Sequence, residues 1–104
     1  FPGHPLVLRA LRELADVEND VATVSTCSGT NALAEEVARR TGAMVEAMEG
    51  AAVALVAHRL DAPFAELRVV SNTTGDRAGQ RWDIAGALLA LERISSRLSG
   101  LIQP

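Results

Sequence analysis

The stretch that decides the fold is VATVSTCSGTNALAEEVARRTG, residues 21–42. Its first part, Val21 to Cys27, is rich in β-branched residues that alternate loosely, a pattern typical of a strand. A polar turn follows, in which Thr30 or Asn31 can cap a helix that ends at Gly42. A strand that leads through a short turn into a helix is the repeating unit of an α/β sheet.

The same alternation continues on both sides of this stretch. The other predicted elements are, in chain order, a helix at 6–15, a strand at 43–47, a helix at 50–60, a strand at 64–71, a loop at 72–81 and a helix that Asp83 caps and that runs to about residue 99. The helix at 50–60 is apolar on nearly all sides, so we expect it to be buried. The order α-β-α-β-α-β-α predicts a sheet covered by helices. Three strands make a narrow sheet with exposed edges, which suggests part of a larger domain.

Composition excludes several classes of protein. The chain has 104 residues, 48% of them apolar, which excludes a disordered chain. Aromatic residues make up 3% and the net charge is -3, so we expect no nucleic-acid partner and no anionic membrane surface. One cysteine, Cys27, and two histidines predict neither a disulfide nor a metal site, and we expect no cofactor. Without a signal peptide or a long apolar run, a cytoplasmic location is expected.

Polar residues follow each predicted strand, where ligands gather in open α/β folds. The hydroxyls and amides at 25–31 could hold an anion, or they could only cap the next helix. Glu49 could bind a sugar diol, or its carboxylate could cap the helix at 50–60. Arg68 lies among apolar residues and needs an acidic partner or a ligand, unless it pairs with Glu66 at a sheet edge.

Three motifs together resemble the purine nucleoside phosphorylase and nucleosidase superfamily. They are MEGAAVA at 48–54, APF at 62–64 and RVVSN at 68–72, and their order and spacing match over roughly residues 20–100. Within the superfamily, SNTTGDR at 71–77 and WDI at 82–84 are most similar to the futalosine hydrolase family of menaquinone biosynthesis. The resemblance implies an α/β fold with a three-layer phosphorylase/hydrolase-like sheet flanked by helices. Residues 1–104 would be the carboxyl-terminal part of a single nucleoside phosphorylase-like domain.

The resemblance also implies roles for five residues. Glu49 would bind the ribose 2′ and 3′ hydroxyls, and Met48 would pack beneath the sugar. Asn72 would face N7 and the six-substituent of the purine, with Ser71 holding its side chain and Arg68 close behind. Nucleosidases that act on adenine nucleosides have Asp at this position. An Asn offers one acceptor and one donor, which favours a 6-oxopurine such as hypoxanthine.

The implied activity is hydrolysis of the N-glycosidic bond of futalosine, with release of hypoxanthine. Asn72 would be its catalytic residue, stabilising charge on the departing base. The superfamily's water-activating Glu and Gly-rich segment lie in its amino-terminal half and have no counterpart in this sequence, so we expect the chain to need that half of its own domain. A homo-oligomer is also expected. The alternatives are a phosphate-dependent purine nucleoside phosphorylase acting on 6-oxopurine nucleosides and a non-catalytic module of the same fold.

Overall fold

The computed structural model describes residues 1–101 as an α/β unit. The elements are α1 (Pro5–Leu11), β1 (Val21–Thr23), α2 (Asn31–Thr41), β2 (Val45–Ala47), α3 (Gly50–Arg59), a short 3-10 turn (Arg77–Gly79) and α4 (Ile84–Leu101). Every predicted helix is present, and α1 ends four residues before the predicted Ala15. The predicted α/β class is confirmed. Within residues 1–101, no helix is both long enough and apolar enough to cross a membrane.

The sheet of the described residues is a parallel pair of β1 and β2. Val21 is opposite Val45, and Thr23 is opposite Ala47. Parallel neighbours need a crossover connection, which α2 provides. Ala22 and Ala47 are buried in the two strands, and Ala54 of α3 is 3% exposed. These small side chains let α3 lie close against the sheet, so the start of α3 is fixed beside the carboxyl ends of both strands.

The helix caps predicted from the sequence are confirmed. Thr30 Oγ1 accepts a hydrogen bond from the Leu33 amide at 3.2 Å, which satisfies a free N–H in the first turn of α2. Gly42 ends α2 in a left-handed conformation, φ 72°, which glycine adopts without steric cost. At α4, Asp83 Oδ1 accepts a hydrogen bond from the Gly86 amide at 2.9 Å.

The predicted third strand at 64–71 is wrong for the described chain. No strand is assigned between residues 48 and 101, and the only pairing nearby is an isolated antiparallel bridge between Asn72 and Trp82. A strand exists only where a neighbouring backbone takes its N–H and C=O groups. Within residues 1–101, no second strand lies beside this segment, so it forms no strand.

The predicted burial of α3 is also wrong for the described chain. Gly50 and Ala54 are its buried residues, whereas Val53 is 57% exposed and Val56 is 56% exposed. The helix α4 has no buried residue, and its Leu88 is 60% exposed. A two-stranded sheet offers too little surface to cover either helix. Both therefore carry wide apolar faces that residues 1–101 leave open.

Candidate functional site

Met48 and Glu49 form the whole connection between β2 and α3. The strand ends at Ala47 and the helix begins at Gly50, so both residues lie at the carboxyl end of the parallel pair. Met48 is 52% exposed, and the Glu49 side chain is 67% exposed. This position and this exposure make both side chains available to a ligand.

The carboxylate of Glu49 does not cap α3. Glu49 occupies the N-cap position, but its side chain makes no capping hydrogen bond. The hydroxyl of Thr23, at the end of β1, instead accepts a hydrogen bond from the Ala51 amide at 2.9 Å. Capping was the structural explanation that the sequence left open for Glu49, and the structure gives that task to another residue.

Glu49 is instead one end of a three-residue ion-pair cluster with Arg68 and Glu66. Arg68 Nη2 lies 3.0 Å from Glu49 Oε2, and Arg68 Nε lies 2.6 Å from Glu66 Oε1. Arg68 is 36% exposed and Glu66 is 20% exposed, so solvent screens this pair only in part, whereas the pair with the exposed Glu49 is screened more strongly. Arg68 therefore has both of the partners that the sequence suggested, an acidic site residue and its neighbour Glu66.

This cluster lowers the pKa of Glu49. The hydrogen bond from Arg68, and after it the hydrogen bond from the Met48 amide, lowers the pKa of Glu49 below its ordinary value. A lowered pKa means that the stabilising contact is fully present above the ordinary pKa of a glutamate and is lost as the pH falls through the lowered value. At neutral pH the site therefore presents a carboxylate that can only accept hydrogen bonds.

Replacing Arg68 by Met should raise the pKa of Glu49 toward its ordinary value, because the largest cause of the shift is removed. Side-chain carboxyl chemical shifts followed by NMR between pH 2 and 7 measure this directly. A matched control is Arg12→Met, which breaks the exposed Arg12–Glu18 pair (2.6 Å) and should change the pKa of Glu18 but not that of Glu49. An unchanged Glu49 titration in the Arg68 variant would contradict the assignment.

The amide of Asn72 is oriented by its two neighbours along the chain. Ser71 Oγ donates a hydrogen bond to Asn72 Oδ1 at 2.7 Å, and Asn72 Nδ2 donates to the Thr73 carbonyl at 2.9 Å. An amide oxygen has two lone pairs and an amide NH₂ has two protons. Asn72 therefore retains one acceptor and one donor for a ligand. The roles that the resemblance implies for Ser71 and Asn72 stay predictions.

The segment at 25–31 is occupied by internal contacts. Ser28 is 4% exposed, and its amide and hydroxyl both donate to the carboxylate of Glu46, at 2.8 and 2.6 Å. Thr30 caps α2. These contacts favour the capping explanation over an anion site. Glu46 was not identified from the sequence, although a lone acid within an apolar strand is a signal that could have found it.

An apolar cavity of about 360 Å³ lies beside these residues rather than at them. It is lined by α1 and the turn that follows it, by both strands, by residues 66–70 and by α4. Arg68 and Glu66 belong to its lining, but Met48, Glu49, Ser71 and Asn72 do not. Of the five candidate residues, Arg68 is the one that lines this cavity, and Met48 and Glu49 lie outside it at the carboxyl end of the strand pair.

Comparisons with known proteins point in one direction. The sequence profile described as the Phosphorylase superfamily matches residues 10–103. The chain is 48% identical over 86 residues to a futalosine hydrolase of Acidothermus cellulolyticus, covering 82% of the chain and 35% of that protein. It is 39% identical over 104 residues to a futalosine hydrolase of Streptomyces coelicolor, covering 99% of the chain and 44% of that protein. The chain thus spans less than half the length of these curated relatives. No solved structure gave a significant match.

Proposed function

Because this chain belongs to the phosphorylase superfamily, we propose that it carries the base and ribose contacts of an enzyme that hydrolyses futalosine and releases hypoxanthine. The resemblance of its motifs to that superfamily, and to futalosine hydrolases within it, is confirmed by the comparisons. One observation carries the proposal. A futalosine hydrolase matches 99% of the chain, a span that includes both Glu49 and Asn72.

In the proposed reaction, the bond between C1′ of the ribose and N9 of the base breaks, and its electron pair leaves with the purine. Water adds to C1′, and its proton balances the charge on the base. Asn72 stabilises the departing base, since its free N–H can donate to O6 and its oxygen can accept from a protonated N7. The amide has no titratable proton, so its contribution is electrostatic.

The same amide explains a preference for hypoxanthine over adenine. A carboxylate at position 72 would repel O6, whereas the NH₂ group of Asn72 donates to it. An unpaired polar group in a base-binding site excludes the wrong ligand more strongly than a lost apolar contact does. The contact with Ser71, at 2.7 Å, supports this role because it holds the amide oxygen and leaves the NH₂ group on the other side.

Glu49 is the proposed ribose ligand. Its ionised carboxylate accepts hydrogen bonds from the 2′ and 3′ hydroxyls, and Arg68 at 3.0 Å orients it. The exposed thioether of Met48 packs beneath the sugar ring. We assign the activation of the attacking water to a Glu in the amino-terminal half of the same domain. The chain would need that half for catalysis. We also propose that the reaction belongs to menaquinone biosynthesis in the cytoplasm and that the protein forms a homo-oligomer.

The test is hypoxanthine release from futalosine and from inosine, with and without phosphate, using the complete polypeptide that the reading frame encodes. Phosphate-independent release from futalosine is the expected result. Release only with phosphate would identify a phosphorylase that uses the same Asn72. No release from either nucleoside, with the fold intact by circular dichroism, would favour a non-catalytic module.

A further inference from the structure

The residues that follow Asn72 form a loop that is closed at its base. The Thr73 amide donates to the Arg81 carbonyl at 3.0 Å, and the Asp83 amide donates to the Ser71 carbonyl at 2.8 Å. Asn72 therefore stands at the base of a closed loop, 72–82, whose tip is Gly75-Asp76. These backbone contacts close the loop on both sides of Asn72.

The tip of this loop is bound to the start of α2 by a reciprocal pair. The Asn31 amide donates to Asp76 Oδ1 at 2.8 Å, and the Asp76 amide donates to Asn31 Oδ1 at 2.9 Å. Two residues that are 45 positions apart thus satisfy each other's backbone N–H groups. The Asn31 amide is a free N–H group in the first turn of α2, so Asp76 adds a second cap to the one that Thr30 makes to Leu33.

Further contacts support the pair on both sides. The Gly75 amide donates to the Ser28 carbonyl at 3.3 Å, and Gln80 Nε2 donates to the Gly75 carbonyl at 2.9 Å. Gly75 has φ 108°, a conformation that other residues rarely adopt. Ser28 is itself held by the Glu46 carboxylate of β2. The tip is thereby attached, through Ser28, to the parallel strand pair.

We propose that Asn31 and Asp76 are positioning residues for base recognition. By holding the tip of the loop on α2, they fix the direction in which the Asn72 amide faces the purine. The inference rests on the proposed function, since it assigns a role to Asn72 as a reader of the base. It adds two residues that touch no ligand themselves and that act through the orientation of Asn72.

Asn31→Asp tests the pair, because it places a second carboxylate against Asp76 while keeping an acceptor for the Asp76 amide. We expect the dissociation constant of hypoxanthine, measured by calorimetry on the complete polypeptide, to rise about tenfold. The swapped variant Asn31→Asp/Asp76→Asn restores one carboxylate and one amide, and we expect its affinity to return to within about twofold of the original. Rescue by the swap would show that the affinity depends on the pair and not on either residue alone.

The matched control is Asn19→Asp, which adds the same charge in the exposed loop before β1 and should leave hypoxanthine binding unchanged. If Asn31→Asp binds hypoxanthine as the original protein does, or if the swap fails to rescue it, the inference is overturned. If the unaltered protein neither binds hypoxanthine nor cleaves futalosine, the proposed function fails and the inference falls with it. Should Asn31→Asp not fold, Asp76→Ala removes one contact without adding charge and must weaken binding for the inference to stand.

Discussion

Replacing Asn72 by Asp should lower kcat/KM for futalosine by at least about 100-fold. The carboxylate cannot donate to O6 of hypoxanthine, and its charge repels that oxygen. The fold should survive, because Ser71 Oγ can donate to a carboxylate oxygen as it does to Asn72 Oδ1 at 2.7 Å. Hypoxanthine release, followed by oxidation to urate in a coupled assay, measures the effect.

The control for this prediction is again Asn19→Asp, which makes the same chemical change on an exposed loop and should leave kcat/KM within about twofold. Adenosine is an informative second substrate, since its six-amino group donates to a carboxylate rather than being repelled by it. Unaltered futalosine cleavage in the Asn72→Asp variant would remove Asn72 from base recognition.

Replacing Glu49 by Gln should lower kcat/KM for futalosine by about 100-fold, because two charge-assisted hydrogen bonds to the ribose become neutral or are lost. The midpoint of chemical denaturation should change little, since the side chain is exposed, does not cap α3 and keeps an oxygen that can accept from Arg68. Steady-state kinetics and urea denaturation on the same preparation separate the two effects.

Thr23→Val is the matched variant for stability. It keeps the shape of the side chain and removes the acceptor that the Ala51 amide uses at 2.9 Å, so we expect a loss of about 1 kcal/mol in the free energy of unfolding. Glu49→Gln should therefore affect activity more than stability, and Thr23→Val the reverse. A large fall in the midpoint of unfolding of the Glu49 variant would instead show that Glu49 stabilises the start of α3.

Local signals were sufficient for most of the helices. The cap at Thr30, the left-handed Gly42 and the cap at Asp83 each depend on residues within four positions of one another, so the sequence predicts them directly. The location of Met48 and Glu49 between a strand and a helix follows from the same kind of signal.

Strands and burial depend on partners that are far along the chain or outside it. The segment 64–71 has strand-like residues, but within residues 1–101 it has no strand to pair with. The sequence predicts the apolar faces of α3 and α4. Their exposure could not be predicted, because it results from a sheet of only two strands in the described chain. Neither outcome can be derived from short-range patterns.

The sequence by itself determined the order of the helices, the α/β class and the set of candidate residues, because short-range spacing and the motifs at 48–54 and 68–72 are sufficient for these. Only the tertiary structure decided which residues contact one another. It showed that Thr23 rather than Glu49 caps α3, that Arg68 joins Glu49 to Glu66, and that Asn31 pairs with Asp76. Most of these contacts join residues that are far apart along the chain. The contact between Arg68 and Glu66 depends instead on their side-chain rotamers. Hydrogen bonds are short and directional, so chain folding and not residue type selects which partners meet.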